Sequence, residues 1–203
     1  DEHNLCKIVK KFGNKYLCEV CAEFPRFYIN LKTYSFIGLG LDCENVVNIV
    51  LNLKQNISFN ITETNRKFDK NEDLIFEKFM SIINLLNSTT SFDDAVLNIF
   101  KFLNYQNTTS KNNSLLTLIN QDAISKTNFE WQNDNAKNIF KFASQNISSR
   151  YNFSNTQLKN LFISFLYKHY FDTRIKNNEK EIILYSLYMT LCCNSLMLLD
   201  KLS

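Results

Sequence analysis

Chain breakers are nearly missing from this sequence. It holds three glycines and one proline in 203 residues. Sandwiches and barrels need turn residues roughly every 8–12 positions, and parallel α/β folds need glycines where strands turn into helices. Neither architecture has its punctuation here, so the scarcity points to an all-α chain. Histidine is also scarce, with only His3 and His169. That leaves little for imidazole catalysis or for a zinc site. No charge of one sign dominates. The formal net charge is +3, with −1 over residues 1–101 and +4 over the remainder. A basic nucleic-acid footprint is thereby excluded. Calcium-loop, phosphate-loop, dinucleotide and nucleophile-elbow patterns are all absent.

What is present is aromatic and asparagine-rich. Phe (18) and Tyr (9) supply bulky core material. Asn reaches 29 of 203 residues, a bias typical of the AT-rich genomes of some parasites, insects and large viruses. Six cysteines occur, Cys6, Cys18, Cys21, Cys43, Cys192 and Cys193. An even count without a metal or redox context implies three disulfides. Adjacent Cys192 and Cys193 cannot pair with each other in ordinary geometry, so both are expected to reach back to the N-terminal group. Seven N-x-Ser/Thr sequons, at Asn56, Asn60, Asn87, Asn107, Asn112, Asn146 and Asn152, mark candidate glycosylation sites. Together these features suggest a secreted protein, and the opening Asp1-Glu2-His3 fits a mature form after signal-peptide removal.

Periodicity lays out the elements. Leu5, Ile8, Phe12 and Tyr16 predict a helix over 4–23, ended by Pro25. Phe27, Ile29 and Leu31 alternate, which allows a short strand within 26–41. Asp42 is placed to cap a helix to about Leu53. The polar residues 55–66 read as a loop. Helices are expected over 71–86, from Ser91 to about Asn104, over 113–125, over 128–144 behind Thr127-x-x-Glu130, over 155–171 behind Ser154-x-x-Gln157, and over 178–201. Residues 98–102 recur in 138–142, a weak internal echo. The expected fold is an all-α, disulfide-stapled bundle of about six to eight helices. It forms one domain over 1–203, with the Cys-rich segment 1–54 packed on the body 67–203.

From Ile182 to Leu199 no charge occurs, a run at the lower limit for a membrane span. The cysteines within it need partners, and the N-terminal candidates sit among lysines, so a buried central core helix is favoured over a membrane segment.

Candidate chemistry is thin. Cys18-Glu19-Val20-Cys21 has redox spacing but no βαβ unit beside it. His169, with Asp172 three residues on, borders an apolar face. Glu72-Asp73 and Asp93-Asp94 open helices, where the dipole accounts for acids. Cys18, Cys21 and Cys43 resemble the opening of a saposin-like module, which would imply lipid binding. The 148 residues from Cys43 to Cys192 depart from that family's compact closure, and the function is not carried over. Without a catalytic constellation, cofactor or metal set, the sequence suggests a non-catalytic secreted glycoprotein. It would bind an extracellular or host partner protein as an effector or ligand. The alternative is a carrier of a lipid or other apolar ligand.

Overall fold

A computed structural model describes residues 7–61, 69–104, 152–171 and 179–199. The second copy of the internal echo, the helices expected over 113–125 and 128–144, and Asn107, Asn112, Asn146, Asp172, His3 and Cys6 lie outside these residues. Seven α-helices and a two-stranded sheet occur among the described residues.

The N-terminal segment breaks up where one helix was expected. Gly13 adopts a φ of +83°, a left-handed conformation that suits glycine and stops the helix. The result is α1 (Lys7–Phe12), a 3-10 turn (Asn14–Tyr16) and α2 (Glu19–Glu23). Phe12 and Tyr16 are exposed, not buried, and pack edge-to-face at 5.7 Å. An apolar repeat that a glycine interrupts cannot present one continuous face.

Strands β1 (Arg26–Asn30) and β2 (Ser35–Leu39) form an antiparallel hairpin with Phe27 opposite Gly38 and Ile29 opposite Phe36. Helix α3 (Glu44–Asn52) follows. Its N-cap is Cys43, which offers no side-chain cap bond, and not Asp42; the Asp42 carboxylate pairs instead with Lys168. Helix α4 (Lys70–Ser88) is capped by Asp69. Helix α5 (Phe92–Phe102) is capped by Ser91, whose hydroxyl accepts from Asp94 N.

Helix α6 (Asn155–Tyr170) opens with the complete Ser154/Gln157 capping box, and α7 (Glu179–Leu199) runs against it. Helix α6 touches α3, α4, α5, α7 and β2. It is buried at Leu158, Leu161, Phe162, Ile163, Phe165 and Leu166. The central helix is therefore α6. Helix α7, expected at the centre, is nonetheless core: Ile183 and Leu187 are fully buried. The hydroxyls of Ser186, Thr190 and Ser195 donate to carbonyls one turn back, which satisfies them inside the core. Among the described residues, no helix is long and apolar enough to cross a membrane.

Side-chain amides join α6 to its neighbours. Asn160, fully buried, accepts from Ile57 N at 2.9 Å and donates to Gln55 O at 3.1 Å. Gln157 Nε2 donates to Leu51 O at 2.8 Å, and Asn155 Oδ1 accepts from Phe92 N at 2.8 Å. Lys159 is buried too, its ammonium on Thr89 O, and burial lowers its pKa.

The expected disulfide staple does not form: no disulfide occurs among the described residues. Cys192 and Cys193 lie in the packed α6–α7 layer, while Cys18 and Cys21 are exposed on the outlying N-terminal segment. Burial pushes the Cys192 thiol up to about 12 and the Cys193 thiol up to about 11, so both stay protonated and inert at neutral pH. An even cysteine count does not report where each thiol is packed, and only thiols brought within bonding geometry can pair.

Candidate functional site

The hairpin is anchored by its tip. Lys32 N donates to Glu72 Oε1 at 2.9 Å and Thr33 N to Glu72 Oε2 at 2.6 Å. The Lys32 ammonium meets Asp69 at 3.1 Å, and the Tyr34 hydroxyl donates to Asp73 Oδ1 at 2.5 Å. The acids that open α4 thus do more than face its dipole; they hold the hairpin. Burial raises the Glu72 pKa, but the amide donations from Thr33 and Lys32 outweigh it, and the carboxyl ends below its ordinary value. Tyr34 is pushed up to about 12, first by its bond to Asp73, then by burial and by the charges of Asp73, Glu77 and Glu72.

Anchoring the hairpin here opens a cleft of about 930 Å³ between β2, α3, the segment 57–61 and α4, floored by α6. Its lining is aromatic. Tyr34 stacks on Phe76 at 4.6 Å and 22°. Phe59 meets Tyr167 at 4.9 Å and Phe79 at 5.3 Å, and Phe36 meets Tyr167 at 6.1 Å. Tyr167 also donates to Ile37 O at 3.1 Å. Gly38 lets the hairpin close on this floor, because a Cβ there would lie 2.3 Å from the Phe27 ring and 2.8 Å from Tyr167. The mouth carries exposed aliphatics: Ile37 at 63%, Ile61 at 61%, Ile49 at 55% and Leu39 at 45%. The cleft is thus a mainly apolar trough with six aromatic rings in its lining, and carboxylates stand behind it at the Tyr34 end.

The residues singled out from the sequence do not converge there. His169 sits against Tyr185, ring centroids 5.1 Å apart, and neither lines the cleft. Cys192 and Cys193 lie with Phe165 and Met189. Among the described residues no three His, Cys, Asp or Glu side chains are grouped to hold a metal ion. Of the sequons, Asn60 and Asn87 are exposed and Asn56 is half-buried. Asn152 is engaged: its Nδ2, the atom a glycan would occupy, donates to Asn194 O at 3.2 Å. The cleft residues Tyr34, Phe59, Phe76 and Tyr167 escaped sequence reasoning, because aromatics spread over four segments carry no spacing signal.

Two curated proteins match part of the chain. Both are named lysine-N-methylase, from Salmonella typhimurium strain LT2 and Salmonella choleraesuis strain SC-B67, and each is 30% identical over 112 residues. The match covers 52% of this chain and 27% of each relative, so the chain spans about a quarter of their length. No family model matches, and no solved structure matches. The relatives carry an enzyme's name. That overturns the expectation of a non-catalytic binder, and of a lipid carrier as its alternative. The sequence expectation rested on missing nucleophile and base motifs, and an enzyme whose nucleophile belongs to its substrate would carry neither. The secreted-glycoprotein reading loses its support with the missing disulfides and the engaged Asn152 amide.

Proposed function

We propose that this chain is an enzyme, or part of one, that methylates the side-chain amine of lysine, and that the aromatic cleft receives that side chain. The observation that carries this reading is the 112-residue match to proteins named lysine-N-methylase. The cleft supports it chemically. A lysine stem is apolar and gains by lying against Phe and Tyr rings. Its ammonium is drawn toward the cleft by the carboxylates of Asp73 and Glu72 behind the Tyr34 end. Within the cleft the apolar walls disfavour the charged form, so the ammonium gives its proton to water at the mouth and leaves the lone pair that attacks a methyl carbon. A cleft of about 930 Å³ is large enough for the side chain together with the methyl end of a donor, since small-molecule sites run to roughly 300–1,000 Å³. A sulfonium donor supplies the methyl group and leaves as a neutral thioether while the new N–C bond forms.

The test is direct. The protein is incubated with S-adenosylmethionine bearing a labelled methyl group and with lysine-containing polypeptides, and modified residues are mapped by mass spectrometry. Methyl label is expected on lysine, lowered about tenfold or more by Tyr34→Ala, since that change removes both a ring face and the Asp73 partner. Absence of lysine methylation across these substrates would sink the reading.

A further inference from the structure

Resting on that reading, we infer that the substrate binds as an extended polypeptide which adds a third strand to the outer edge of β2, its target lysine turned into the aromatic cleft. The phase of the hairpin ladder is fixed by two bonds that flank it: Leu31 N donates to Tyr34 O at 2.8 Å, and Gly40 N to Pro25 O at 2.8 Å. In antiparallel pairing, bonded and non-bonded pairs alternate. Phe27/Gly38 and Ile29/Phe36 are therefore bonded pairs, and Arg26/Leu39, Tyr28/Ile37 and Asn30/Ser35 are not. The amide and carbonyl groups of Ser35, Ile37 and Leu39 consequently point away from β1. The Tyr167 hydroxyl, which reaches Ile37 O from that side, independently marks the direction.

This edge borders the cleft, and among the described residues no strand covers it; Tyr167 takes one lone pair of Ile37 O, and the peptide would use the other. An open edge beside an apolar trough is the arrangement used for strand addition, in which main-chain bonds give affinity and a side-chain pocket gives selectivity. The occupant follows from charge and shape. At the Tyr34 end, Asp73 accepts from the Tyr34 hydroxyl and Glu72 from the Lys32 and Thr33 amides, so negative charge stands behind the cleft wall and favours a cation over an anion. The exposed Ile37, Leu39, Ile49 and Ile61 extend well past the reach of one amino acid. They suit the flanking apolar side chains of a strand about 17 Å long.

Backbone chemistry tests this without altering the protein. The probe is a short peptide of about nine residues with one central lysine among alternating threonine and valine, compared with two versions carrying N-methylated amides at alternate positions of opposite parity. Strand addition uses amides of one parity only. One version should therefore bind about three- to tenfold more weakly per lost hydrogen bond, while the other binds as the parent does; calorimetry measures each. Equal effects of both parities, or no binding of the parent, overturn the inference. Ile37→Pro removes an outward amide while sparing the β1 ladder, and should weaken the parent peptide about threefold or more; unchanged affinity counts against strand addition. Methyl transfer is scored separately in the same samples. Parity-dependent binding without methylation upholds the docking mode and removes the lysine-methylation reading. Methylation with parity-independent binding does the reverse.

Discussion

Asn194 illustrates how much a single buried amide decides. It is 1% exposed, and its Oδ1 accepts from Asn152 N at 2.8 Å and Phe153 N at 3.2 Å. Those bonds seat the chain that leads into the capping box of α6. Asn194→Ala strands both amides, at about 1–3 kcal/mol each, so urea unfolding should report a loss of about 2–6 kcal/mol. The same contact engages the Asn152 amide in packing. Cys192 and Cys193 make the opposite point. Burial keeps both thiols protonated, so iodoacetamide at mildly alkaline pH should leave them unmodified in the native protein and label both after denaturation. Labelling of Cys192 in the native state would show that the α6–α7 layer opens.

At the scale of elements, the hairpin and the start of α4 form a unit held by carboxylates. Glu72 sits below its ordinary pKa through amide donations that outweigh burial. Asp69 is lowered first by Lys32, then by the amides of Glu72 and Asn71. A depressed carboxyl stabilises the fold fully above its unfolded pKa, about 4. That contribution is lost as pH falls through the lower folded value. Amide exchange at Lys32 and Thr33 should therefore accelerate below about pH 4 relative to the α6 core. Glu72→Gln should reduce the acid dependence at both amides. Gly38 governs the other face of the hairpin. Gly38→Val drives a side chain into Phe27 and Tyr167 and should cost about 1–3 kcal/mol by overpacking. It should also lift β2 from the cleft floor, seen as weaker peptide binding by calorimetry.

For the whole molecule, α6 is the frame on which the cleft is built. Its Asn160 holds Gln55 and Ile57, and so positions the 57–61 wall. Asn160→Ala leaves Ile57 N and Gln55 O without their partner. It should cost about 2–4 kcal/mol in chemical unfolding, and lower methyl transfer even at temperatures where the protein stays folded. Activity retained at the wild-type level in the folded variant would separate that wall from the site.

The sequence by itself determined most of the described helices. Scarce breakers, a helical repeat over 71–86 and the Ser91 and Ser154 caps act within one or two turns, so local reading finds them. It also confined strand to 26–41, because alternation at Phe27, Ile29 and Leu31 is a local pattern. Gly13 shows the margin: the glycine was visible, but its positive φ, which splits the N-terminal helix, was not. Only the tertiary structure decided which helix is central, since α6 and α7 are both apolar and packing alone distinguishes them. Only it separated the thiols of Cys18 and Cys21 from those of Cys192 and Cys193. The cleft belongs to the same category. Tyr34, Phe59, Phe76 and Tyr167 become a site when Glu72 and Asp73 pin the hairpin and Asn160 pins the opposite wall. Contacts spanning from 39 to 130 positions along the chain set that arrangement, and no local propensity encodes them.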